Sequence, residues 1–141
     1  MAALGAAAAD RRRFVDTSAW FAYADRDDPD HATVRRLIRR SSGHPVTSNV
    51  VFDETVTLCA SPLGHAAARK VGDLLGGGVA ATLVRISAAD EEAAWALFES
   101  RPDKTYSFTD CTSFVLMRRL GLRAAIALDE HFEEEGFRLD R

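Results

Sequence analysis

Asp16 follows the apolar pair Phe14 and Val15 directly, and it precedes Thr17 and Ser18, residues of the type that cap helices, ahead of Ala19, Trp20, Phe21 and Ala22. A carboxylate thus stands where a strand hands over to a helix. In open parallel sheets ligands bind just beyond the carboxyl ends of strands, although helix capping alone also accounts for an Asp there. The position recurs at Asp129, directly after the short apolar run Ala124 to Leu128. Asp110 lies in the first turn of a helix that runs through Cys111, Phe114, Val115 and Met117 to Leu120. There the helix macrodipole favours a negative group, and capping is again a sufficient reason. Glu54 sits four residues after Val50 and four before Leu58, on an otherwise apolar helix face. Unless it reaches water from the flank, such a carboxylate costs several kcal/mol when nothing pairs with it. Its neighbour Asp53 points about 100° away and is expected to be solvated.

If the first strand is central and the strand ending at Leu128 lies beside it, all four acids converge on one switch point of the sheet. Like charges so placed raise one another's pKa values unless a cation lies between them. With oxygen donors only, and no Cys or His in the pattern, the expected cation is Mg²⁺ or Mn²⁺. Such a site suits in-line attack of a metal-activated water on a phosphodiester.

The elements that must position these residues alternate. Asp25 to Asp30 reads as a loop, and His31 to Arg40 as a helix with Val34, Leu37 and Ile38 on one face and arginines on the other. Ser41, Ser42, Gly43 and Pro45 end it. Val46 and Thr47 form a very short strand, and Ser48 or Asn49 caps the helix of Glu54, which Pro62 is expected to break. A helix over Gly64 to Leu75 closes at Gly76, Gly77 and Gly78, a turn with neither the preceding strand nor the Lys-Ser or Lys-Thr pair of a phosphate loop. A strand over Val79 to Ile86 leads to a helix from Ser87 to Ser100 with Ala94, Leu97 and Phe98 inward and Trp95 beside them. After Asp129 come a short helix, Glu130 to Glu135, and a terminal strand, Phe137 to Leu139. Strands alternating with helices in 141 residues predict a three-layer α/β/α fold with a mainly parallel central sheet.

Composition narrows the class. Hydrophobic residues make up 47% and charged residues 28%, proportions of a globular domain and neither of a disordered chain nor of a membrane protein. Cys59 and Cys111 lie far apart in predicted helices, as packed thiols in a reducing cytoplasm would, with no zinc or disulfide pattern. A net charge of −3 argues against simple wholesale attraction to nucleic acid but permits a nucleic-acid substrate. Yet basic residues gather at Arg11 to Arg13, at Arg35, Arg36, Arg39 and Arg40, and at Arg118, Arg119 and Arg123, as solvated faces or as phosphate contacts. Residues 1–10 are alanine-rich with no basic residue before the apolar stretch, so they read as a tail and not as a signal or a membrane span. His31 and His44 have no partner at metal spacing and read as structural.

FVDTSAW over 14–20, Glu54 within VVFDETVTL, DKTYSFTDCTSFVLMRRLG over 103–121 and AIALDEHFEEEGF over 125–137 together resemble the PIN-domain ribonucleases, especially the VapC-like toxins of bacterial toxin-antitoxin pairs. The resemblance covers Arg13 to the end and implies a single PIN domain over 11–141 with Mg²⁺- or Mn²⁺-dependent endoribonuclease activity. It implies Asp16, Glu54, Asp110 and Asp129 as the catalytic and metal-holding acids, with Thr17, Ser107 and Thr109 as supporting hydroxyls that orient ligands or water. His131 and Phe132 match its His-Phe after the last acid and read as structural. An RNA substrate, a cognate antitoxin and a homodimer are implied as partners. A receiver domain of response regulators has similar size and acids at strand ends, but it would want paired acids after the first strand and a lysine after the last. A non-catalytic PIN scaffold that binds RNA or protein is the other alternative, and the presence of all four acids weighs against it.

Overall fold

The computed structural model describes residues 12–41 and 45–141. The expected tail over 1–10, and His44 with its neighbours Ser42 and Gly43, lie outside the described residues. Five strands form one sheet: β1 (Phe14–Val15), β2 (Val46–Ser48), β3 (Thr82–Val84), β4 (Ala124–Ile126) and β5 (Arg138–Leu139). Their order is β3-β2-β1-β4-β5, every pairing is parallel, and β1 is central with β4 beside it. Phe14 is in register with Val46 on one side and Ala125 on the other, which sets the level of everything that follows β1.

The helices among the described residues are α1 (Thr17–Ala24), α2 (His31–Arg40), α3 (Asn49–Leu63), α4 (His65–Gly76), α5 (Ala88–Glu99), α6 (Phe108–Leu120) and α7 (His131–Glu134). Parallel crossovers are right-handed, so β1 to β3 carry α1–α4 on one face, while the return to β4 and β5 carries α5–α7 on the other. The packing agrees. α1 touches α2, α3 and α4, and α5 touches α6, which touches α7. α3 also meets α6, so the helix of Glu54 reaches that of Asp110.

Buried aromatic residues hold the layers together. Phe132 is fully buried, 5.0 Å from Phe114 and 6.2 Å from Phe14 between ring centroids. It therefore anchors the segment after β4 to the first strand, as a structural Phe should. His31 is structural too, with Nδ1 2.9 Å from the carbonyl oxygen of Ala22.

Several expected boundaries move. Pro62 lies inside α3, because the carbonyl it leaves unpaired belongs to Leu58, an exposed residue, and the helix ends at Gly64, whose φ of +89° favours glycine. The strand expected over Val79 to Ile86 shrinks to Thr82–Val84, since the turn after α4 extends to Ala80, whose N–H bonds back to Leu74. β4 stops at Ile126, two residues short of Leu128, whose N–H is taken by a side chain instead of the ladder. α7 has four residues and β5 two. In α5 Ala94 faces inward and Leu97 is partly buried, but Phe98 is 40% exposed and Trp95 55% exposed. Among the helices α5 packs chiefly on α6, which leaves those rings largely exposed; they stack on each other at 5.7 Å, and Trp95 meets Phe108 edge-on at 6.3 Å.

Candidate active site

Asp16 leaves β1 through a backbone hydrogen bond, its N–H donating to the Ile126 carbonyl of β4 at 3.0 Å, and then caps α1. Its Oδ2 accepts the hydroxyl of Ser18 at 2.9 Å and, more loosely, the Ser18 N–H at 3.4 Å. Only 3% of Asp16 is exposed. Burial, then the carboxylates of Asp110 and Asp129, push its pKa from 3.8 up to about 7, against the hydrogen bonds from Ser18 and the Thr17 backbone.

Asp110 arrives from the other face of the sheet. The sequence Ser-Phe-Thr-Asp closes a capping box at the start of α6: Asp110 N–H donates to Ser107 Oγ, and Ser107 N–H to Asp110 Oδ2, each at 3.0 Å. The same Oδ2 accepts Nδ1–H of His131 at 2.9 Å. Burial raises the pKa of Asp110 above 3.8, the Ser107 N–H opposes it, Asp129 adds to it, and His131 opposes it.

Asp129 stands three residues beyond the end of β4. Its Oδ1 accepts the N–H of His131 at 3.1 Å, which starts α7, and lies 3.8 Å from His131 Nδ1. One imidazole thus touches Asp110 and neighbours Asp129, and its Nε2 meets Thr105 Oγ1 at 3.1 Å. His131, expected to be structural, lies within the site.

Three of the four predicted acids are therefore electrostatic neighbours at the carboxyl ends of β1 and β4 and the start of α6. Glu54 is half-buried on α3, and among the described residues it has no hydrogen bond or ion pair. α3 brings it toward the others by packing on both α1 and α6, but Glu54 is not named with Asp110 and Asp129 among the charges that shift Asp16. Thr17 is 3% exposed and its hydroxyl has no partner, so a buried donor is left over beside Asp16. Ser107 is exposed, its hydroxyl engaged as the α6 cap. Thr109 is half-buried and offers its carbonyl to Thr112 Oγ1 at 2.7 Å.

Ser18 and Thr105 are the site residues that sequence reasoning missed, and His131 is one to which it gave only a structural role. Ser18 does double duty, because its hydroxyl also accepts the N–H of Leu128 at 3.0 Å and so ties Asp16 to the segment carrying Asp129. Its placement two residues after an Asp was the available signal. His131 was visible as the His of the family-like His-Phe after Asp129, but it read as structural.

The donor set suits a hard divalent cation, since carboxylates and a hydroxyl offer oxygen and the nearby imidazole is committed to a carboxylate. Among the described residues no three His, Cys, Asp or Glu side chains already close around an ion, so the arrangement is a set of unrelieved negative groups and not a finished cage. A cation between them would offset the repulsion that raises Asp16.

Comparison with known proteins identifies the family. A family model described as PIN domain matches residues 13–137. The chain is 38% identical over 133 residues to the 23S rRNA-specific endonuclease VapC20 of Mycobacterium tuberculosis, covering 88% of this chain and 94% of that protein. It is 35% identical over 119 residues to ribonuclease VapC26 of the same species, covering 84% and 87%. The crystal structure of M. tuberculosis VapC20, a Sarcin-Ricin loop cleaving toxin, superposes with a TM-score of 0.84 at 35% identity, over 88% of this chain and 95% of that one. A matching domain over almost its whole length, two relatives above 30% identity and the same parallel sheet show that this chain belongs to the PIN domain family, beside the VapC ribonucleases.

Proposed function

We propose that this protein is a divalent-metal-dependent endoribonuclease, the toxin of a toxin-antitoxin pair, with Asp16, Asp110, Asp129 and Glu54 as its catalytic and metal-holding acids. The observation that carries the reading is the burial of Asp16 against two further carboxylates at the end of the central strand, an arrangement that a cation stabilises and a bare protein tolerates poorly. When bound, Mg²⁺ or Mn²⁺ supplies a Lewis acid for the charge that develops on a cleaved phosphodiester and eases deprotonation of the attacking water. The chain's own residues hold and aim. Ser18 fixes the carboxylate of Asp16, Ser107 and His131 fix that of Asp110, and the spare hydroxyl of Thr17 is placed to hold a ligand oxygen or a water.

The relatives' names point to ribosomal RNA as the substrate class to test first. A cognate antitoxin, a homodimer and a cytoplasmic setting complete the reading; buried free thiols at Cys59 and Cys111 fit a reducing compartment. No helix among the described residues is long and apolar enough to cross a membrane. An antitoxin arginine entering the acidic site would inhibit by taking the place of the cation.

The test is cleavage of ribosomal RNA with manganese, with EDTA, and with Asp16→Asn. Cleavage that needs manganese and Asp16 supports the reading. Binding without cleavage in all three assigns the chain to the non-catalytic scaffolds.

A further inference from the structure

Two strands from the acids, along the same edge of the sheet, lies a groove of about 510 Å³ whose lining includes Asn49, Val50, Phe52, Asp53, Leu83 and Arg85 beside Gly76. The register places it. Phe14 pairs with Val46, so Asp16 is level with Ser48, and Ser48 pairs with Val84. Arg85 is the next residue, two strand spacings or roughly 10 Å from Asp16 along the carboxyl edge. Its backbone is held on both sides. The Arg85 carbonyl accepts Arg119 Nη2 at 3.2 Å, Arg119 being itself fixed by Asp90 at 2.8 Å, and the following N–H, of Ile86, donates to Asn49 Oδ1 at 2.7 Å.

The side chain is not held. Among the described residues the Arg85 guanidinium has no ion pair or hydrogen bond, whereas Arg13, Arg101, Arg118 and Arg119 all have carboxylate partners. Because Asn49 uses its carbonyl on Ile86, its amide N–H groups are left to donate. Val50, Phe52 and Leu83 give the groove an apolar wall, and Asp53 adds an acceptor. That lining is wrong for an inorganic anion alone, which Asp53 would repel. It suits a nucleotide, with a phosphate on the guanidinium, the base against Phe52, and a base amino group facing the carboxylate.

We propose that this groove is a nucleotide subsite for an unpaired stretch of RNA, with Arg85 taking the phosphate while the cleaved bond lies over Asp16. The proposal rests on the ribonuclease reading for its direction but is testable by binding alone. Arg85 is exposed and its backbone bonds do not need its side chain, so substitution leaves the fold in place, which a melting curve checks.

The experiment measures binding of a short fluorescent single-stranded oligoribonucleotide in EDTA, where cleavage is absent, and steady-state cleavage with manganese. Arg85→Ala is expected to weaken binding and raise KM about tenfold with kcat unchanged, and to make the salt dependence of binding shallower by about 0.7 in log-log slope. Arg85→Lys should recover part of the loss and Arg85→Glu should deepen it. Equal binding, KM and salt slope in wild type and Arg85→Glu would overturn the subsite, as would a fall in kcat alone. Inorganic phosphate that competes as well as the oligoribonucleotide would also overturn it, leaving a bare anion site. Binding that depends on Arg85 without any cleavage would keep the subsite and remove the ribonuclease reading; absence of binding by wild type would remove the subsite.

Discussion

The hydroxyl of Ser18 lies 2.9 Å from Oδ2 of Asp16 and donates to it, while accepting an N–H from the far end of the chain at Leu128. One oxygen thereby aims the buried carboxylate and ties down the segment leading to Asp129. Ser18→Ala should remove both contacts. With hydrogen bonds to charged groups worth about 1.5–3 kcal/mol, activity should fall roughly tenfold or more. The Asp16 pKa in the metal-free protein, followed by NMR, should rise above its wild-type value, and Ser18→Thr should restore most of the loss. A normal Asp16 titration in Ser18→Ala would show that the hydroxyl does not act through Asp16.

The raised pKa of Asp16 also sets a pH dependence of folding. The folded state keeps the Asp16 proton to about pH 7 and the unfolded chain only to about 3.8, so the folded state binds more protons between those values. Stability without metal must then fall as pH rises through that window, by an amount on the order of 4 kcal/mol from this group. Asp110 is shifted the same way and adds to the fall. Asp16→Asn has no proton to lose, so in EDTA it should melt above wild type at pH 8 and close to it at pH 4. Melting curves at the two pH values check this, and RNA cleavage by the variant should be abolished.

A cation should reverse the penalty. Manganese at about 100 times its Kd should add roughly 2.7 kcal/mol, a rise in melting temperature on the order of 8 °C for a chain of this size. Asp129→Asn should melt at or above wild type in EDTA and gain less from manganese. Melts of both proteins with and without metal decide the matter, and a variant well below wild type in EDTA would make Asp129 a helix cap.

Glu54 and Asp53 separate cleanly. Glu54→Gln should lower kcat at least tenfold without lowering the melting temperature, because Glu54 has no partner to lose among the described residues. Asp53 is exposed and lines the neighbouring groove, so Asp53→Asn should leave kcat unchanged. Equal losses in kcat would place both carboxylates at the site.

Much of this layout was legible along the chain. Asp16 after Phe14-Val15 and Ser107 before Asp110 are local signals, and local signals also gave α2 its boundaries. What stayed hidden is what tertiary packing decides. The Ser18 to Leu128 bond joins residues 110 apart, and no pattern announces it. The capping box of Ser107 and Asp110 has a twin in Ser87 and Asp90, with the same pair of reciprocal bonds. Arg119 pairs with Asp90 and holds its pKa down, whereas burial with a second acid nearby pushes Asp110 up. Only the neighbours, supplied by distant parts of the chain, tell a structural cap from a candidate ligand. Phe98 is exposed for a similar reason, since its helix packs chiefly on α6 and the ring rests on Trp95, itself exposed.

The order of synthesis gives the central position of β1 a temporal meaning. Asp16 emerges well before β4, Leu128 and Asp129, and the N–H of Asp16 finds its acceptor only when Ile126 docks beside it. Before that pairing an emerging polypeptide holds single acids and no assembled site. Assembly waits for the most non-local contact in the sheet, a slow step in folding. The acidic centre therefore forms only once β4 has followed β1 and docked beside it.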